Sequence, residues 1–273
     1  MTTTPLIKLG DIYLKREDLN QTGSAKDRAI QKQIEHIKKL GLKKAVISST
    51  GNAAISAAHF CSQNQIDLSI FLSPKINPAK LTIINKYPCH INFSLKPISD
   101  AIKFSKFKKA YLLRQSTDPY ALIGYQEISR EIIKQLPQIT SIFIPVGSGT
   151  TLLGISQVLP KSVKIFAIQS SSNCPLSKIF DKSYKPENKL ITDALSVKFL
   201  PQKTEIISAI KKSNGSGLVI QNKEIIKNNI FLKIKKINTS LEGVLAFSGY
   251  LKAKKNNFKI GDFPLILLTG AKR

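Results

Sequence analysis

Short, nearly unbroken apolar runs recur along this chain. Between them the apolar residues fall at three- and four-residue spacing. Ala45–Ser48, Leu68–Leu72, Ile142–Val146, Val163–Ile168 and Pro264–Leu268 are runs of the first kind. Runs of that length predict strands buried on both faces. Residues 29–40, 52–63, 125–135 and 241–254 show the second pattern, as in Ile30, Ile34 and Ile37. That spacing predicts helices with one buried stripe. Strand and helix patterns alternate, which predicts an α/β fold with mainly parallel sheets flanked by helices. Ligands of such sheets bind beyond the carboxyl ends of the strands. Three turns stand there: Ser49–Asn52, Gly147–Thr151 and Thr269–Gly270. No Gly-, Ser- or Pro-rich linker divides the chain, and no internal repeat is present.

The 273 residues carry 42 Lys and Arg against 17 Asp and Glu, a net charge of +25. Such a charge suits a polyanion partner. The lysines are spread along the whole chain, however, with only short clusters such as Lys38-Lys39 and Lys108-Lys109. No basic arm or aromatic-basic motif accompanies them, so a nucleic-acid partner is not expected. No apolar run is long enough to cross a bilayer, and no secretory signal is visible at Met1–Pro5. A cytoplasmic protein is therefore expected. Cys61, Cys89 and Cys174 are odd in number and far apart, and His36, His59 and His90 show no ligand spacing; neither set predicts a metal site or a disulfide framework.

The candidate chemistry starts at Lys26, in Asn20-Gln21-Thr22-Gly23-Ser24-Ala25-Lys26-Asp27-Arg28. Small polar residues precede it and a helical pattern follows. A lysine at such a turn can present its amine for Schiff-base chemistry, although most lysines are solvated surface residues. Pro145-Val146-Gly147-Ser148-Gly149-Thr150-Thr151 is a strand, a glycine-rich turn and a helix start. Free N–H groups and three hydroxyls there suit a single phosphate group. The P-loop lysine and the full dinucleotide spacing are both missing, and an ordinary strand-to-helix turn is the plainer alternative. Ser48-Ser49-Thr50-Gly51-Asn52 could hold a carboxylate, or simply cap a helix. Thr269 could meet a ring nitrogen or cap a turn. Taken together, an amine for an aldehyde, a phosphate loop and a hydroxyl for a ring nitrogen ask for pyridoxal phosphate.

These segments bring out a family resemblance. Asn20–Arg28 is similar to the Asn-Pro-Thr-Gly-Ser-Phe-Lys-Asp-Arg motif, and Ser49-Thr50-Gly51-Asn52 matches Ser-Thr-Gly-Asn. Gly147–Thr151 looks like the cofactor phosphate loop, Leu268-Thr269-Gly270 like the closing motif, and Thr4–Leu9 like the opening strand. Asp118-Pro119-Tyr120 with Gly124 resembles Asn-Pro-Tyr-x-x-x-Gly. The chain thus resembles, nearly end to end, the tryptophan-synthase-β type (fold type II) of pyridoxal-phosphate enzymes, and within it the threonine synthases.

The resemblance implies two domains, each a mainly parallel sheet flanked by helices. Residues 20–125 would form a smaller mobile domain; residues 1–19 and 126–273 would form a larger one that binds the cofactor phosphate. It implies that Lys26 carries the cofactor as a Schiff base and moves protons in turnover. Asn52 would contact the ring hydroxyl, Gly147, Ser148, Gly149, Thr150 and Thr151 the cofactor phosphate, and Thr269 the pyridine nitrogen. Ser49, Thr50 and Gly51 would receive the substrate carboxylate, with Ser116 as a further substrate contact. The activity implied is conversion of O-phosphohomoserine and water to threonine and phosphate. The alternative is a threonine or serine dehydratase, or another β-eliminating or β-replacing enzyme such as a cysteine synthase relative. A homodimer is implied by the same resemblance. Two departures bear on the substrate. Ala121 stands where many threonine synthases carry a phosphate-binding Arg, and Ser148 where an Asn is frequent.

Overall fold

The computed structural model describes residues 3–49, 51–192, 195 and 200–273. Along the chain come β1 (Leu6–Leu9), β2 (Ile12–Arg16), α1 (Lys26–Lys39), β3 (Lys44–Ser48), α2 (Asn52–Gln63), β4 (Asp67–Leu72), α3 (Pro78–Ile84) and β5 (His90–Phe93). Then follow α4 (Pro97–Lys108), β6 (Tyr111–Leu112), α5 (Pro119–Gln135), β7 (Ser141–Pro145), α6 (Thr150–Ser156) and β8 (Lys164–Ser170). The last elements are α7 (Lys203–Lys212), β9 (Ser216–Ile220), α8 (Asn222–Ile234), α9 (Leu241–Lys255) and β10 (Pro264–Leu268).

The strands form two sheets, of order β1-β2-β10-β7-β8-β9 and β5-β4-β3-β6. Only the β1–β2 pair is antiparallel. The fold is thus the α/β arrangement that the alternating pattern predicts. Strands β7 and β10 are buried at every residue, which is why their sequences read as unbroken apolar runs.

Two helices begin earlier than their apolar spacing indicates. Helix α1 starts at Lys26 rather than Ala29, and α5 at Pro119 rather than Tyr125. The first turn of α5 is set by caps. Asp118 accepts from Tyr120 N at 2.9 Å, and Pro119 stands at the first helical position, where its missing N–H costs no hydrogen bond.

Helices α1 and α5 cross very closely: a Cβ on Gly124 would lie 2.2 Å from the Arg28 carbonyl oxygen. A buried ion cluster closes the same contact. Arg28 Nε donates to Glu17 Oε2 at 2.9 Å, and its Nη2 donates to Glu17 Oε1 at 2.9 Å and to Glu131 Oε2 at 2.8 Å. Lys15 on β2 donates to Glu131 Oε2 at 2.6 Å and to the Thr4 carbonyl at 2.8 Å. Burial alone would lower the Arg28 pKa, but the two carboxylates outweigh it and raise it. One cluster therefore fastens the start of α1 to both β2 and α5.

Candidate active site

Lys26 opens α1 and is half-buried. Its Nζ donates to the Tyr125 hydroxyl at 3.1 Å and lies 5.5 Å from the centroid of that ring. Tyr125 is fully buried on α5. A Cβ on Gly154 of α6 would come 2.7 Å from Tyr125 Cβ, so the phenol is wedged between α1 and α6. The hydrogen-bond partner of the amine is thus a hydroxyl, not a carboxylate.

The loop that presents Lys26 is braced at both ends. Thr22 N donates to Asp27 Oδ2 at 2.8 Å, and the Thr22 hydroxyl donates to the same carboxylate. Burial raises the Asp27 pKa above the usual carboxylate range, and the Thr22 bonds oppose it. From the other side, the segment after β10 pairs with the loop: Ala25 N donates to Thr269 O at 3.0 Å, and Ala271 N to Gly23 O at 2.8 Å. Thr269, at the carboxyl end of β10, therefore lies beside Lys26.

Gly147–Thr151 follows β7, the neighbour of β10 in the larger sheet. Gly149 has φ +85°, and a Cβ there would lie 2.1 Å from Ile206 Cδ1. Both the left-handed backbone and the packing demand glycine. The N–H groups that follow, at the start of α6, have no acceptor within the helix. Ser148 Oγ and Thr150 Oγ1 lie 3.0 Å apart beside them.

Asn52 starts α2, and Ser49 and Gly51 precede it after β3. Gly51 N donates to Ser49 Oγ at 3.2 Å; Thr50 lies outside the described residues. A Cβ on Gly270 would lie 3.0 Å from Asn52 Nδ2 and 3.2 Å from Ser240 Oγ. The Lys26 loop, Thr269 and Asn52 are thereby joined at one place. Ser116 is not among them. It lies in the turn before α5, next to Gln115, whose Nε2 donates to Gln33 Oε1 at 3.4 Å. Gln33 is two turns along α1 from Lys26, about 10 Å at 1.5 Å per residue.

Three participants escape sequence reasoning: Tyr125, Ser240 and Arg273. Arg273 donates to Asn52 Oδ1 and to the Thr22 carbonyl. The Ser240 hydroxyl is buried without a hydrogen-bond partner among the described residues. None of these contacts has a local sequence signal, except that Tyr125 directly follows the Gly124 of a recognisable segment. Among the described residues no group of three or more His, Cys, Asp or Glu is placed to hold a metal ion. A separate groove, lined by Tyr13, Phe258 and Phe263, opens at the amino end of β10 and is remote from Lys26.

The donor set fits pyridoxal phosphate. Lys26 offers an amine, the Gly147–Thr151 turn offers N–H and hydroxyl donors, and Asn52 offers an amide. The Ser240 hydroxyl, buried without a partner among the described residues, adds an unmet polar atom beside Asn52.

Known proteins agree. The sequence pattern of the family described as "Pyridoxal-phosphate dependent enzyme" matches residues 1–270. A threonine synthase of Methanosarcina acetivorans is 27% identical over 249 residues, covering 81% of this chain and 59% of that protein. An L-threonine ammonia-lyase of Thermotoga maritima is 26% identical, covering 86% and 60%. A catabolic L-threonine dehydratase of Staphylococcus aureus is 24% identical, covering 97% and 82%. The chain thus spans about three-fifths of the length of the first two relatives. Among solved structures, maize serine racemase has a TM-score of 0.87 at 17% identity, covering all of this chain and 89% of the other. Serine racemase of Dictyostelium discoideum has a TM-score of 0.86 at 19% identity, covering 100% and 93%. The amine, the glycine turn, the matching fold and the end-to-end family match lead to one conclusion: this chain belongs to the pyridoxal-phosphate dependent enzymes, in their fold type II branch, and its cofactor is pyridoxal 5'-phosphate.

Proposed function

We propose that this chain is a lyase acting on an amino-acid substrate, and that its reaction is that of a threonine synthase: O-phosphohomoserine and water give threonine and phosphate. The observation that carries the reading is Lys26 Nζ held 3.1 Å from the Tyr125 hydroxyl, in a loop braced to Thr269. Two sequence relatives whose names refer to threonine, a threonine synthase and an L-threonine ammonia-lyase, support the same substrate class.

When bound, pyridoxal phosphate supplies the electron sink for a carbanion at the substrate Cα. The rest belongs to the chain. Lys26 would hold the cofactor through its amine. Its Nζ then takes and returns protons at Cα and Cβ, while phosphate leaves from Cγ and water adds at Cβ. Tyr125 keeps Nζ aimed. Gly147, Ser148, Gly149, Thr150 and Thr151 hold the cofactor phosphate, and Asn52 meets the ring oxygen. Thr269 would meet the ring nitrogen with a hydroxyl rather than a charged group. Ser49, Thr50 and Gly51 receive the substrate carboxylate. Residues 20–125 move as the smaller domain and close on the larger one, excluding water. The split of the strands between two sheets supports that division. Two copies form a homodimer, which the mass in solution checks.

One observation favours a second reading, threonine or serine dehydration. Ala121, where an Arg would bind the substrate phosphate, is fully buried in the cluster that includes Ala25, Ala29 and Tyr125. A longer side chain there would have to enter that apolar interior. Turnover decides between the two. The synthase releases inorganic phosphate from O-phosphohomoserine; the dehydratase gives a 2-oxo acid from threonine or serine. If only the 2-oxo acid forms, the synthase reading is wrong.

A further inference from the structure

Asn52 is not left to orient itself. The chain after β10 runs back along the Lys26 loop, with an antiparallel bridge between Ser24 and Gly270. The Arg273 side chain then turns inward. Its Nη1 donates to Asn52 Oδ1, and its Nη2 donates to the Thr22 carbonyl. Thr22 is fixed in turn by Asp27. One guanidinium thus clasps the first residue of α2 to the loop that carries Lys26. Burial pulls the Arg273 pKa below its ordinary value, with the Asp27 carboxylate and Tyr87 opposing it.

The consequence lies in the amide. Asn offers one carbonyl oxygen and one NH₂. Arg273 cannot accept, so it must face the oxygen, and the NH₂ is left as the only group Asn52 can present elsewhere. That NH₂ lies against Gly270, where a Cβ would be 3.0 Å away. The Ser240 hydroxyl would be 3.2 Å from the same point, so the lack of a side chain at Gly270 is what lets the two polar groups come together there.

We propose that Arg273 is a positioning residue for the cofactor: it holds the Asn52 amide with its NH₂ as donor toward the ring oxygen, and it ties that amide to the Lys26 loop. This rests on the reading of Asn52 as the ring-oxygen contact. A free amide would have to find the donor orientation at each binding event. A clasped one is ready beforehand, and preorganisation of this kind appears as affinity.

The test is a double-mutant cycle on pyridoxal-phosphate affinity, followed by the cofactor's visible absorption and by quenching of protein fluorescence, with the full chain throughout. Arg273→Ala is expected to weaken binding about tenfold, or about 1.4 kcal/mol. In the Asn52→Ala background the same change is expected to cost less than twofold, because the amide it orients is gone. Arg273→Lys keeps the charge without the planar fork and is expected to recover only part of the loss. Melting of the cofactor-free proteins separates a plain stabilising contact, which would lower the melting temperature of Arg273→Ala without coupling to Asn52 in affinity. Wild-type affinity in Arg273→Ala, or losses that simply add, would overturn the proposal while leaving the cofactor reading intact. A wild-type chain that binds no pyridoxal phosphate would overturn both.

Discussion

Lys26 and Arg28 stand two residues apart at the start of α1, and they are treated in opposite ways. Arg28 is buried with every branch of its guanidinium matched: Glu17, Glu131 and Thr4 surround it. Lys26 is half-buried and meets one neutral hydroxyl. The difference separates two uses of a cation. A charge that holds elements together must be paired, since leaving a buried partner alone costs several kcal/mol. An amine that does chemistry must be able to lose its proton and its partner. The short step between them lets the ion cluster position the reactive residue without touching it.

Replacing Lys26 gives the largest contrast in function. Lys26→Ala is expected to abolish the covalent visible band and to lower turnover by at least ~10²–10⁴-fold, the range for a lost acid–base group. Its melting temperature without cofactor should barely move. A retained covalent adduct, mapped to another lysine after borohydride reduction, would break the comparison. Arg28→Ala should do the reverse and act on stability first. It strands the buried Glu17 and leaves Glu131 to Lys15 alone, and a loss of about 3–5 kcal/mol in chemical denaturation is expected. A loss below about 1 kcal/mol would show that the cluster is not what holds α1.

Acid should probe the same cluster. Burial alone would raise the Glu131 pKa, but bonds from Arg28 and Lys15 outweigh it and hold it below the ordinary value near 4.5. A depressed carboxyl contributes stability that is complete above the unfolded value and disappears as pH falls through the folded one. The wild-type chain should therefore lose stability below about pH 4.5 more steeply than Glu131→Gln, which keeps no charge there to titrate. Asp27, whose pKa is raised, contributes with the opposite sign in both proteins, so the difference between them isolates Glu131. Equal slopes would count against a working ion pair. The smallest effect is expected for Tyr125→Phe. It deletes one neutral hydrogen bond, about 0.5–1.5 kcal/mol, and should slow turnover severalfold with little change in melting. A thousandfold fall would mean that the phenol is itself an acid or base.

The contrast between the two cations also marks how far sequence reading reached. The strands β3, β4, β7, β8 and β10 were legible because their central residues are buried and mostly apolar, while the charged residues Lys44, Asp67 and Lys164 stand only at the starts of β3, β4 and β8. Helices α1, α2, α5 and α9 were legible by their apolar spacing; the start of α5 shifted because the Asp118 cap and Pro119 set its first turn, and that of α1 because its first turn buries the polar Asp27 and Arg28. Helix α4 was hidden because it buries little: Ala101 is inside, while Ile98 and Phe107 are 54% and 80% exposed. Helix α8 was hidden because Ile226, Ile230 and Ile234 face solvent while Ile225 and Leu232 are buried. Its apolar residues therefore mark no single face.

By itself the sequence determined the alternation of elements, the glycine turn and the Ser-Thr-Gly-Asn loop, and it pointed to Lys26 as the candidate lysine. Each of these is a local property: backbone freedom, a cap, or a residue type within one turn. Only the tertiary structure decided what those pieces meet. It set Tyr125 against Lys26, moved Ser116 to the Gln33 side of α1, and buried Ala121. It also brought Arg273 to Asn52 across 221 residues of chain. Such pairings depend on how sheets and helices pack around a shared core, and no local spacing encodes them.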